Sequence, residues 1–503
     1  MKEKNNGIKE KRGRRMRMSF PFLSLRDWIE FLEEKGDLVR NRVPMGLRGD
    51  IAAVARKIAL LDGPAVLHEN IENYPGWRIF SDGLTARRRQ LWALNVPARE
   101  TAKVILDKLE KAGPVKPEVV QTGSCKEVKL FGEDVDLLQL PAAFTGGYET
   151  TPYVTAGISF IKDPETGWTN AGIRRFQVIG RNKLCNLILP FQHEGVIFHK
   201  YMQQRRPMPI AVVIGTDPLT CLLSMMPAPE QFDEMDYWGA FAGEPLQVVK
   251  CETSDLLVPA TAEIVIEGEI DPEKRALEGP FPEFPGYYSG NRMCPVIDVK
   301  AITMRRDPIY QYMNMGKPPS EGHNSGALVY EIELYRQIKP LVPEIADVGV
   351  LSTWTITTAV SISKKARLRT PGLEKKLGLA VKAVKAGSMV KNVFIVDDDV
   401  DVHNINDILW SFCVKFQPAK DIQIVEGTPG IYLDPSEPWV GHGGKYSGHS
   451  SYAIYDCTEK LPPYDEGYRR GVALPPPDAT ERVESNWQSY GFGAFGRGDG
   501  NSG

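Results

Sequence analysis

The middle third of the chain contains a series of short, apolar, β-rich segments separated by turn residues. Many of their residues are β-branched or aromatic, which favours strands over helices. Strands are therefore predicted over residues 154–161, 175–179, 184–189, 211–214, 262–270 and 296–303. Closely spaced strands of this kind are typical of an antiparallel barrel or sandwich, so this pattern constrains the fold more than any other feature.

Helix and strand patterns alternate before this region. Ser24 and Asp27 have the spacing of a helix-capping motif, and an apolar stripe follows it until Gly36. Further helices are predicted over 51–61, 87–94 and 100–111, and strands over 64–68 and 77–80. We expect an α/β domain that ends near residue 115, because Gly113 and Pro114 interrupt the pattern.

The same alternation returns after residue 325. Helices are predicted over 327–337, 374–386 and 405–416, and strands over 393–396 and 422–425. This order is typical of a βαβ-like domain. Beyond Gly427 the chain is rich in Gly, Pro and aromatic residues, and from Leu474 to the end it is predicted to form an extended tail that contacts a partner.

These patterns divide the chain into five parts. Residues 1–17 hold eight lysines and arginines against two glutamates, and a disordered, solvated extension is favoured over a site for RNA or an acidic partner. The other parts are an N-terminal α/β domain (18–115), a central β-barrel domain (116–325), a C-terminal α/β domain (326–430) and a C-terminal tail in an oligomer contact (431–503).

Composition and charge narrow the function classes. A formal net charge of −3 gives no general attraction to nucleic acid or to anionic lipid. The apolar stretch 208–215 is far shorter than the roughly 18 residues of a membrane span. The basic N-terminus is not followed by the apolar core of a secretory signal, which favours a cytoplasmic protein. Seven cysteines without a CxxC pair favour reduced thiols.

Residues 168–195 include four polar side chains that could take part in catalysis or binding, namely Asn170, Arg175, Gln192 and His193. If Arg175 and His193 face inward, a cation and an imidazole lie inside the barrel, where each needs a partner because an unpaired buried polar group is costly. If they face outward, they lie in water on an edge strand. The spacing leaves both interpretations open.

Glu278 and Glu283 lie five residues apart in a segment of Gly, Pro and aromatic residues. Two acids beside one arginine are a means of separating their pKa values, so that one donates a proton while the other pairs with the cation. A solvated surface loop is the alternative. Glu234 could join Asn170 and His193 around a divalent cation, although an acidic helix N-terminus is the ordinary explanation.

Six ordered blocks of the sequence resemble the UbiD family of reversible decarboxylases, which use prenylated flavin mononucleotide (FMN). The resemblance extends over roughly residues 20–490. The blocks are NAGIRRFQ (170–177), FQHEG (191–195), DE with the following WGAFAGEP (233–245), VKCETSDLLVPATAEIVIEGEI (249–270), EGPFPEFPGY (278–287) and KAGSMVKNVFIVDDDVDVHNINDILW (385–410).

The resemblance implies a mixed α+β and α/β fold of several domains. An N-terminal α/β region, a central split β-barrel like that of flavin reductases and a C-terminal α/β region would be followed by an extended tail. It also implies a catalytic set of Arg175, Glu278 and Glu283, in which Glu283 is the proton donor.

The resemblance further implies a cofactor site. Asn170, His193 and Glu234 would bind Mn2+ or a similar divalent cation, with K+ nearby, and the divalent ion would bridge the protein to the flavin phosphate. Lys385 would contact the same phosphate. Other flavin contacts are implied for Thr155, Gly172, Ile173, Arg175, Gln192, Ser224 and Met226, with Met225 as an alternative to Met226.

The implied reaction is the reversible, non-oxidative decarboxylation or carboxylation of an aromatic, heteroaromatic or α,β-unsaturated acid. The acid would bond covalently to prenylated FMN, CO2 would leave, and Glu283 would protonate the remaining carbon. A flavin prenyltransferase would supply the cofactor, and a homodimer or homohexamer is expected. The alternatives are a non-catalytic flavin-binding or scaffolding subunit of a multi-subunit carboxylase and an ordinary flavin oxidoreductase.

Overall fold

The computed structural model describes residues 19–96, 102–351, 356–431, 433–437, 439–440, 445–446, 449–460 and 472–492. The predicted basic extension, residues 1–17, lies outside these ranges, and the predicted tail is described only in part. Across the described ranges, no helix combines the length and apolar character that a membrane span requires.

The N-terminal region is an α/β unit, as the alternating pattern predicts. Its elements are α1 (Leu25–Glu34), β1 (Leu38–Asn41), α2 (Asp50–Leu60), β2 (Ala65–His68), β3 (Arg78–Ser81), α3 (Arg87–Leu94) and α4 (Ala102–Ala112). The predicted cap of α1 is present, because the backbone N–H of Asp27 donates to Ser24 Oγ and that of Leu23 donates to Asp27 Oδ2. The bond from Asp27 satisfies an amide that the start of a helix leaves unpaired, and the bond from Leu23 fixes the chain as it enters the helix.

The central region contains the predicted strands and three helices that the strand pattern did not indicate. Its elements are β4 (Glu118–Val119), β5 (Val128–Phe131), β6 (Tyr153–Lys162), β7 (Thr169–Gly180), β8 (Lys183–Asn186), α5 (His193–Gln203), β9 (Met208–Ile214), α6 (Pro218–Leu223), α7 (Glu234–Ala242), β10 (Gln247–Lys250), β11 (Leu257–Pro259), β12 (Ile264–Glu278), β13 (Arg292–Met304) and β14 (Ile309–Gln311). All six residues of α6 are buried, so its sequence shows no polar face from which a helical period could be recognised.

Six antiparallel strands close into a barrel in the order β12, β9, β6, β7, β8 and β13. Pairing between β12 and β13 completes the ring, so the barrel is confirmed and the sandwich is excluded. The strand β5 adds to the outside of β13. Apolar residues such as Phe176, Ile210 and Ile297 form one buried cluster with Ile51 of α2, which packs the N-terminal region against the barrel.

The C-terminal region contains a five-stranded mixed sheet with helices. Its elements are α8 (Glu321–Ile338), β15 (Ile345–Val350), β16 (Thr357–Ile362), α9 (Lys364–Arg369), α10 (Leu373–Ala383), β17 (Asn392–Asp397), α11 (Ile405–Lys415), α12 (Pro418–Asp421), β18 (Ile422–Pro429), β19 (Trp439–Val440), β20 (Lys445–Tyr446), β21 (His449–Asp456) and α13 (Pro477–Ser485). The order of strands in the sheet is β15, β16, β17, β21 and β18.

Two strands pair within a sheet of a region other than the one to which the sequence analysis assigned them. β21 follows residue 430, where the C-terminal domain was expected to end, and yet it lies between β17 and β18. β14 precedes residue 325, where the central domain was expected to end, and yet it pairs with β3 of the N-terminal sheet. Strand pairing between distant segments is a tertiary property, so local composition could not indicate it.

One buried apolar cluster connects all three regions. It includes Trp28 of α1, Trp238 of α7, Leu334 of α8 and Val381 of α10. The three regions therefore share one hydrophobic core and are not separately packed domains. The cysteines are all free thiols, six of them buried, as the absence of CxxC pairs predicts.

Candidate active site

A cavity of about 820 Å³ lies where the barrel meets the C-terminal region. Its walls come from β7, the start of α5, the loop between α6 and α7, the loop after β12, the start of α8 and the segments 385–389 and 429–433. All of the candidate residues named from the sequence line this cavity except Glu278, which binds Arg175 from behind the wall.

Arg175 on β7 forms ion pairs with both candidate glutamates. Its Nε donates to Glu278 Oε1 (2.9 Å) and its Nη2 donates to Glu278 Oε2 (3.2 Å), which makes the pair bidentate. Its Nη1 donates to Oε1 of Glu283. The three side chains are 13%, 1% and 7% exposed, respectively, so the solvent-exposed alternatives for Arg175 and for the glutamate pair are excluded.

The loop between β12 and β13 presents Glu283 to the cavity. The backbone N–H of Glu283 donates to Tyr287 O (2.8 Å), and that of Gly286 donates to Glu283 O (2.9 Å). Gly279 begins the loop with a φ of +107°, and a Cβ there would lie 3.0 Å from Gly290 O, so glycine suits both the conformation and the space. Gly279 and these two backbone bonds thus define the conformation of the loop that carries Glu283.

His323 on α8 holds the same loop from the other side. Its Nε2 donates to the backbone carbonyl of Phe284 (2.7 Å), the residue after Glu283, and its Nδ1 accepts from Ser320 Oγ (2.6 Å). A carbonyl can only accept, so the proton of the neutral ring is on Nε2. Because His323 is fully buried, burial lowers its pKa to about 4 and keeps the ring neutral.

Burial and neighbouring charges also affect the protonation of Glu283. Burial raises the pKa of Glu283 above its ordinary value, the Arg175 guanidinium acts in the opposite direction, and Glu278 raises it further. Glu278 additionally accepts a hydrogen bond from the buried Tyr153 hydroxyl (3.2 Å). The arrangement provides one carboxyl group biased towards the protonated form and a second that orients the arginine.

Asn170, His193 and Glu234 meet in a second cluster on the cavity wall. His193 and Glu234 are the first residues of α5 and α7, so the helix N-terminus expected for Glu234 is present. Asn170 Nδ2 donates to Glu234 Oε1 (2.9 Å) and lies 3.5 Å from His193 Nδ1. The backbone N–H of Ala171 donates to Glu234 Oε2 (2.9 Å).

This cluster fits a divalent cation. Asn170 Oδ1 is buried and has no hydrogen-bond partner within the described part of the chain. An amide oxygen, an imidazole and a carboxylate form a donor set that suits an ion such as Mn2+. Burial raises the pKa of Glu234 to about 8, so a neighbouring cation would favour its ionised form. Among the residues that the structure describes, no group of three or more His, Cys, Asp or Glu offers another metal site.

Lys385 brings a positive charge from the C-terminal region to this cluster. Its Nζ donates to His193 Nε2 (2.5 Å) and to Ala228 O (2.9 Å). Burial lowers the pKa of Lys385 from its ordinary value. Burial, together with Lys385 and Arg174, also lowers the pKa of His193 to about 4, which leaves a neutral imidazole able to bind a metal ion.

The other candidate cofactor residues, Thr155, Gly172, Ile173, Gln192, Ser224 and Met226, also line the cavity. Ile173 N donates to Ser224 O (3.0 Å), which ties the barrel wall to the end of α6. A Cβ on Gly172 would lie 2.9 Å from the guanidinium nitrogens of Arg174, so the glycine keeps this wall close-packed. Met225 lines the cavity as well as Met226, so lining does not separate these two alternatives.

Arg174 is a cavity residue that the sequence analysis did not identify. Its Nε donates to Glu194 Oε2 (3.1 Å), and Glu194, which is fully buried, also accepts from Asn186 Nδ2 (2.8 Å). The Arg174–Arg175 doublet is visible in the sequence, but side chains of neighbouring strand residues point to opposite faces. Only the tertiary structure shows that both arginines border the same cavity.

Comparisons with known proteins agree with this architecture. Three models of the 3-octaprenyl-4-hydroxybenzoate carboxy-lyase family match in order: the N-terminal domain over residues 29–109, the Rift-related domain over 118–318 and the C-terminal domain over 323–447.

Solved structures extend the likeness to almost the whole chain. The UbiD-class enzyme HmfF from Pelotomaculum thermopropionicum, in complex with FMN, is 32% identical with a TM-score of 0.80 and covers 92% of this chain and 99% of its own. Vanillic acid decarboxylase from Sedimentibacter hydroxybenzoicus, in open form, is 30% identical with a TM-score of 0.81 and covers 93% of this chain and 99% of its own. A 3,4-dihydroxybenzoic acid decarboxylase from Enterobacter cloacae is 26% identical with a TM-score of 0.80 and covers 92% of this chain and 100% of its own. Taken with the barrel and its cavity, these matches show that the chain belongs to the UbiD family of carboxy-lyases.

Proposed function

We propose that this chain catalyses the reversible, non-oxidative decarboxylation of an aromatic, heteroaromatic or α,β-unsaturated carboxylic acid, with prenylated FMN bound in the cavity. The observation that carries the proposal is the buried set of Arg175, Glu278 and Glu283, of which Arg175 and Glu283 line a cavity that also contains the cluster of Asn170, His193 and Glu234. FMN or prenylated FMN is bound in the HmfF structures, and two other relatives are named as decarboxylases of aromatic acids.

Decarboxylation of such an acid leaves a carbanion whose charge needs an electron sink, and the prenylated flavin supplies that sink when it is bound. Asn170, His193 and Glu234 would hold a divalent ion such as Mn2+, and Lys385 would add a second positive charge beside these residues. K+ stays a prediction of the family resemblance.

Each catalytic side chain has a separate task. Arg175 binds the substrate carboxylate, and the bidentate bond from Glu278 fixes the plane of its guanidinium group. Glu283, whose pKa burial raises, delivers a proton to the carbon that has lost CO2. In the carboxylation direction the ionised Glu283 accepts the proton from the same carbon. The apolar walls exclude water, which would otherwise protonate that carbon without control.

Replacement of Glu283 tests the proposal. Glu283→Gln keeps the size of the side chain but removes the transferable proton, so turnover and exchange of labelled CO2 should fall by roughly 100-fold or more. Flavin content should stay unchanged, because Glu283 is not in the cation cluster. Glu273→Gln, on the exposed part of β12, is the matched control and should behave as the unmodified protein.

Other outcomes would identify the alternatives. Unchanged turnover in Glu283→Gln contradicts the assigned role of the glutamate. Flavin binding without decarboxylation or CO2 exchange of any acid would indicate a non-catalytic subunit. Reduction of the bound flavin by a nicotinamide cofactor, followed by absorbance, would indicate an oxidoreductase. Cofactor supply by a flavin prenyltransferase and assembly into a homodimer or homohexamer stay predictions, which co-expression and the mass of the native assembly test.

A further inference from the structure

Lys382 lies in the last turn of α10, behind the cavity wall, and connects two segments of that wall. Its Nζ donates to Ser388 O (2.7 Å), to Val390 O (2.9 Å) and to Pro429 O (2.9 Å). The first two carbonyls belong to the segment that carries Lys385, and the third belongs to the end of β18. Both segments line the cavity, so one ammonium group holds two parts of its wall together.

The three bonds use every donor of the Lys382 side chain, because a protonated lysine carries three N–H groups. Nζ also lies 5.6 Å from the centre of the Tyr452 ring, whose hydroxyl donates to Gly378 O of the same helix (2.6 Å). Burial lowers the pKa of Lys382 to about 8, and the negative charge of Glu437 acts in the opposite direction. The ammonium group has therefore lost much of its water, and backbone carbonyls of the protein take the place of that water.

The charge of Lys382 is what allows the three carbonyl oxygens to converge. The oxygens carry the same partial charge and repel each other at close range, whereas a cation between them attracts all three. With an uncharged apolar side chain in its place, water would hydrate the oxygens separately. The end of β18 would then no longer be tied to the segment that carries Lys385.

The segment 385–390 in turn sets the position of the Lys385 side chain. The segment begins with a tight turn against the end of α10, where a Cβ on Gly387 would collide with Val381 O. From this turn Lys385 Nζ reaches His193 Nε2 (2.5 Å) at the start of α5. A displacement of the turn therefore moves the ammonium group of Lys385 relative to the cluster that contains His193.

We propose that Lys382 is a positioning residue of the cofactor site. By holding the segment 385–390 against the end of β18, it keeps Lys385 beside His193, where the charge of Lys385 attracts the phosphate of a bound flavin mononucleotide. The inference rests on the proposed function, because it takes flavin to be bound in the cavity. Lys382 does not line the cavity, so it acts on the cofactor through Lys385.

Binding of FMN to the protein supplied with Mn2+ tests this role. Lys382→Met keeps the length and helix propensity of the side chain but removes the ammonium group, so the Kd for FMN, measured by flavin fluorescence, should rise about tenfold or more. Lys382→Arg keeps a cation with several donors and should stay within about threefold of the unmodified protein. Lys376→Met, at an exposed position of the same helix, is the matched control and should leave the Kd unchanged.

A double-mutant cycle with Lys385 separates positioning from a general weakening of the fold. Lys385→Gln alone should raise the Kd for FMN, and Lys382→Met should add less than about threefold in that background, because the group through which it acts has been removed. Equal fold-changes in the two backgrounds would overturn the inference, since the effect would not pass through Lys385.

Three further results would also overturn it. One is an unchanged Kd in Lys382→Met, even if thermal unfolding shows a less stable protein, because the lysine would then support only the fold. Another is an unchanged Kd in Lys385→Gln. The third is an equal loss of FMN affinity in Lys382→Arg and Lys382→Met, which would show that the charge at this position does not matter.

Turnover by the enzyme loaded with prenylated flavin separates this inference from the proposed function. If the cycle shows the expected coupling but no acid is decarboxylated and no CO2 is exchanged, the proposed reaction is contradicted and the role of Lys382 stands. If an acid is turned over but Lys382→Met leaves the Kd for FMN unchanged, the function is supported and the inference is overturned. Failure of the unmodified protein to bind FMN would contradict both.

Discussion

At the scale of single residues, the groups around Glu283 have opposing effects on its pKa. Burial and the nearby Glu278 raise its pKa, and Arg175 lowers it. Its position depends on residues that do not line the reacting part of the cavity, such as Glu278 behind Arg175 and His323 behind Phe284. Two predictions concern these neighbours.

The first concerns the pH dependence of decarboxylation. The pKa of Glu283 is raised, and the proposed mechanism uses its protonated form as the donor. We therefore expect kcat to be highest at low pH and to fall as pH rises through that pKa. Glu278→Gln removes a charge that raises this pKa and frees Arg175 to pair with Glu283, so the falling limb should move to lower pH. A profile of kcat against pH measures the shift. The exposed variant Glu273→Gln should reproduce the unmodified profile, and a limb that moves to higher pH in Glu278→Gln would contradict the electrostatic account.

The second concerns His323 as a positioning residue. His323→Leu removes the donor to Phe284 O, and the loosened loop should lower kcat about 10- to 100-fold, since small displacements of reacting groups are costly. His323→Gln can still donate from its amide and should recover most of the loss. The measurements are kcat, KM and flavin content. Equal activity of the leucine and glutamine variants would show that the hydrogen bond does not position Glu283.

At the scale of elements, the first turns of α5 and α7 bring His193 and Glu234 to the same strand, β7. The turn before α5 leaves very little space, because a Cβ on Gly195 would lie 2.1 Å from the backbone oxygen of Leu189. The position of the helix, and with it that of His193, therefore depends on this glycine.

Replacement of Gly195 tests this dependence. Gly195→Ala should force the start of α5 away from the preceding turn, lower the free energy of unfolding by about 1–3 kcal/mol and weaken Mn2+ and flavin binding. Gly147→Ala is the control, because a Cβ at this exposed position meets no atom within 4 Å. Thermal unfolding and metal content of both variants give the comparison. Full Mn2+ and flavin content in Gly195→Ala would show that the helix position does not control the site.

At the scale of the whole molecule, a buried ion cluster joins the N-terminal and C-terminal regions. Arg87 of α3 pairs with the buried Glu331 of α8 (2.8 Å), and His403 lies 3.6 Å from Glu331 and 3.1 Å from Asp347 of β15. Despite the opposing effect of burial, Glu331 and Asp347 raise the pKa of His403 to about 9. The folded state therefore favours the protonated imidazole.

This cluster predicts a pH-dependent stability. His403 has a raised pKa in the folded state, so its contribution is complete below the unfolded value of 6.5 and is lost as pH rises through about 9. His403→Gln should be less stable than the unmodified protein by on the order of 2 kcal/mol at pH 6, and the difference should shrink by pH 10. Thermal unfolding at both pH values measures it. The exposed His199→Gln is the control, and a pH-independent difference for His403→Gln would contradict the cluster's role.

Local sequence patterns were sufficient to predict a helix or strand where a residue's environment follows from its neighbours along the chain. The cap of α1 at Ser24 and the helices of the N-terminal region follow from capping chemistry and periodicity, and the strands of the barrel follow from their β-branched and aromatic residues. The helix α6, by contrast, is buried on all sides and lacks a period to recognise. The pairings of β14 and β21 depend on distant strands and leave no local sign in the sequence.

The amino-acid sequence alone determined which chemical groups the site could contain, since the ordered blocks that carry Arg175, Glu278 and Glu283 indicated the family from residue types and their order. Tertiary structure decided whether those groups meet. Arg175 and Glu278 are 103 residues apart, and closure of the barrel brings β7 and the end of β12 to one cavity wall. Burial of the pair, the engagement of Arg174 by Glu194 and the contact between Lys385 and His193 all arise from packing between distant segments, because the polarity around a side chain is set by what surrounds it in space.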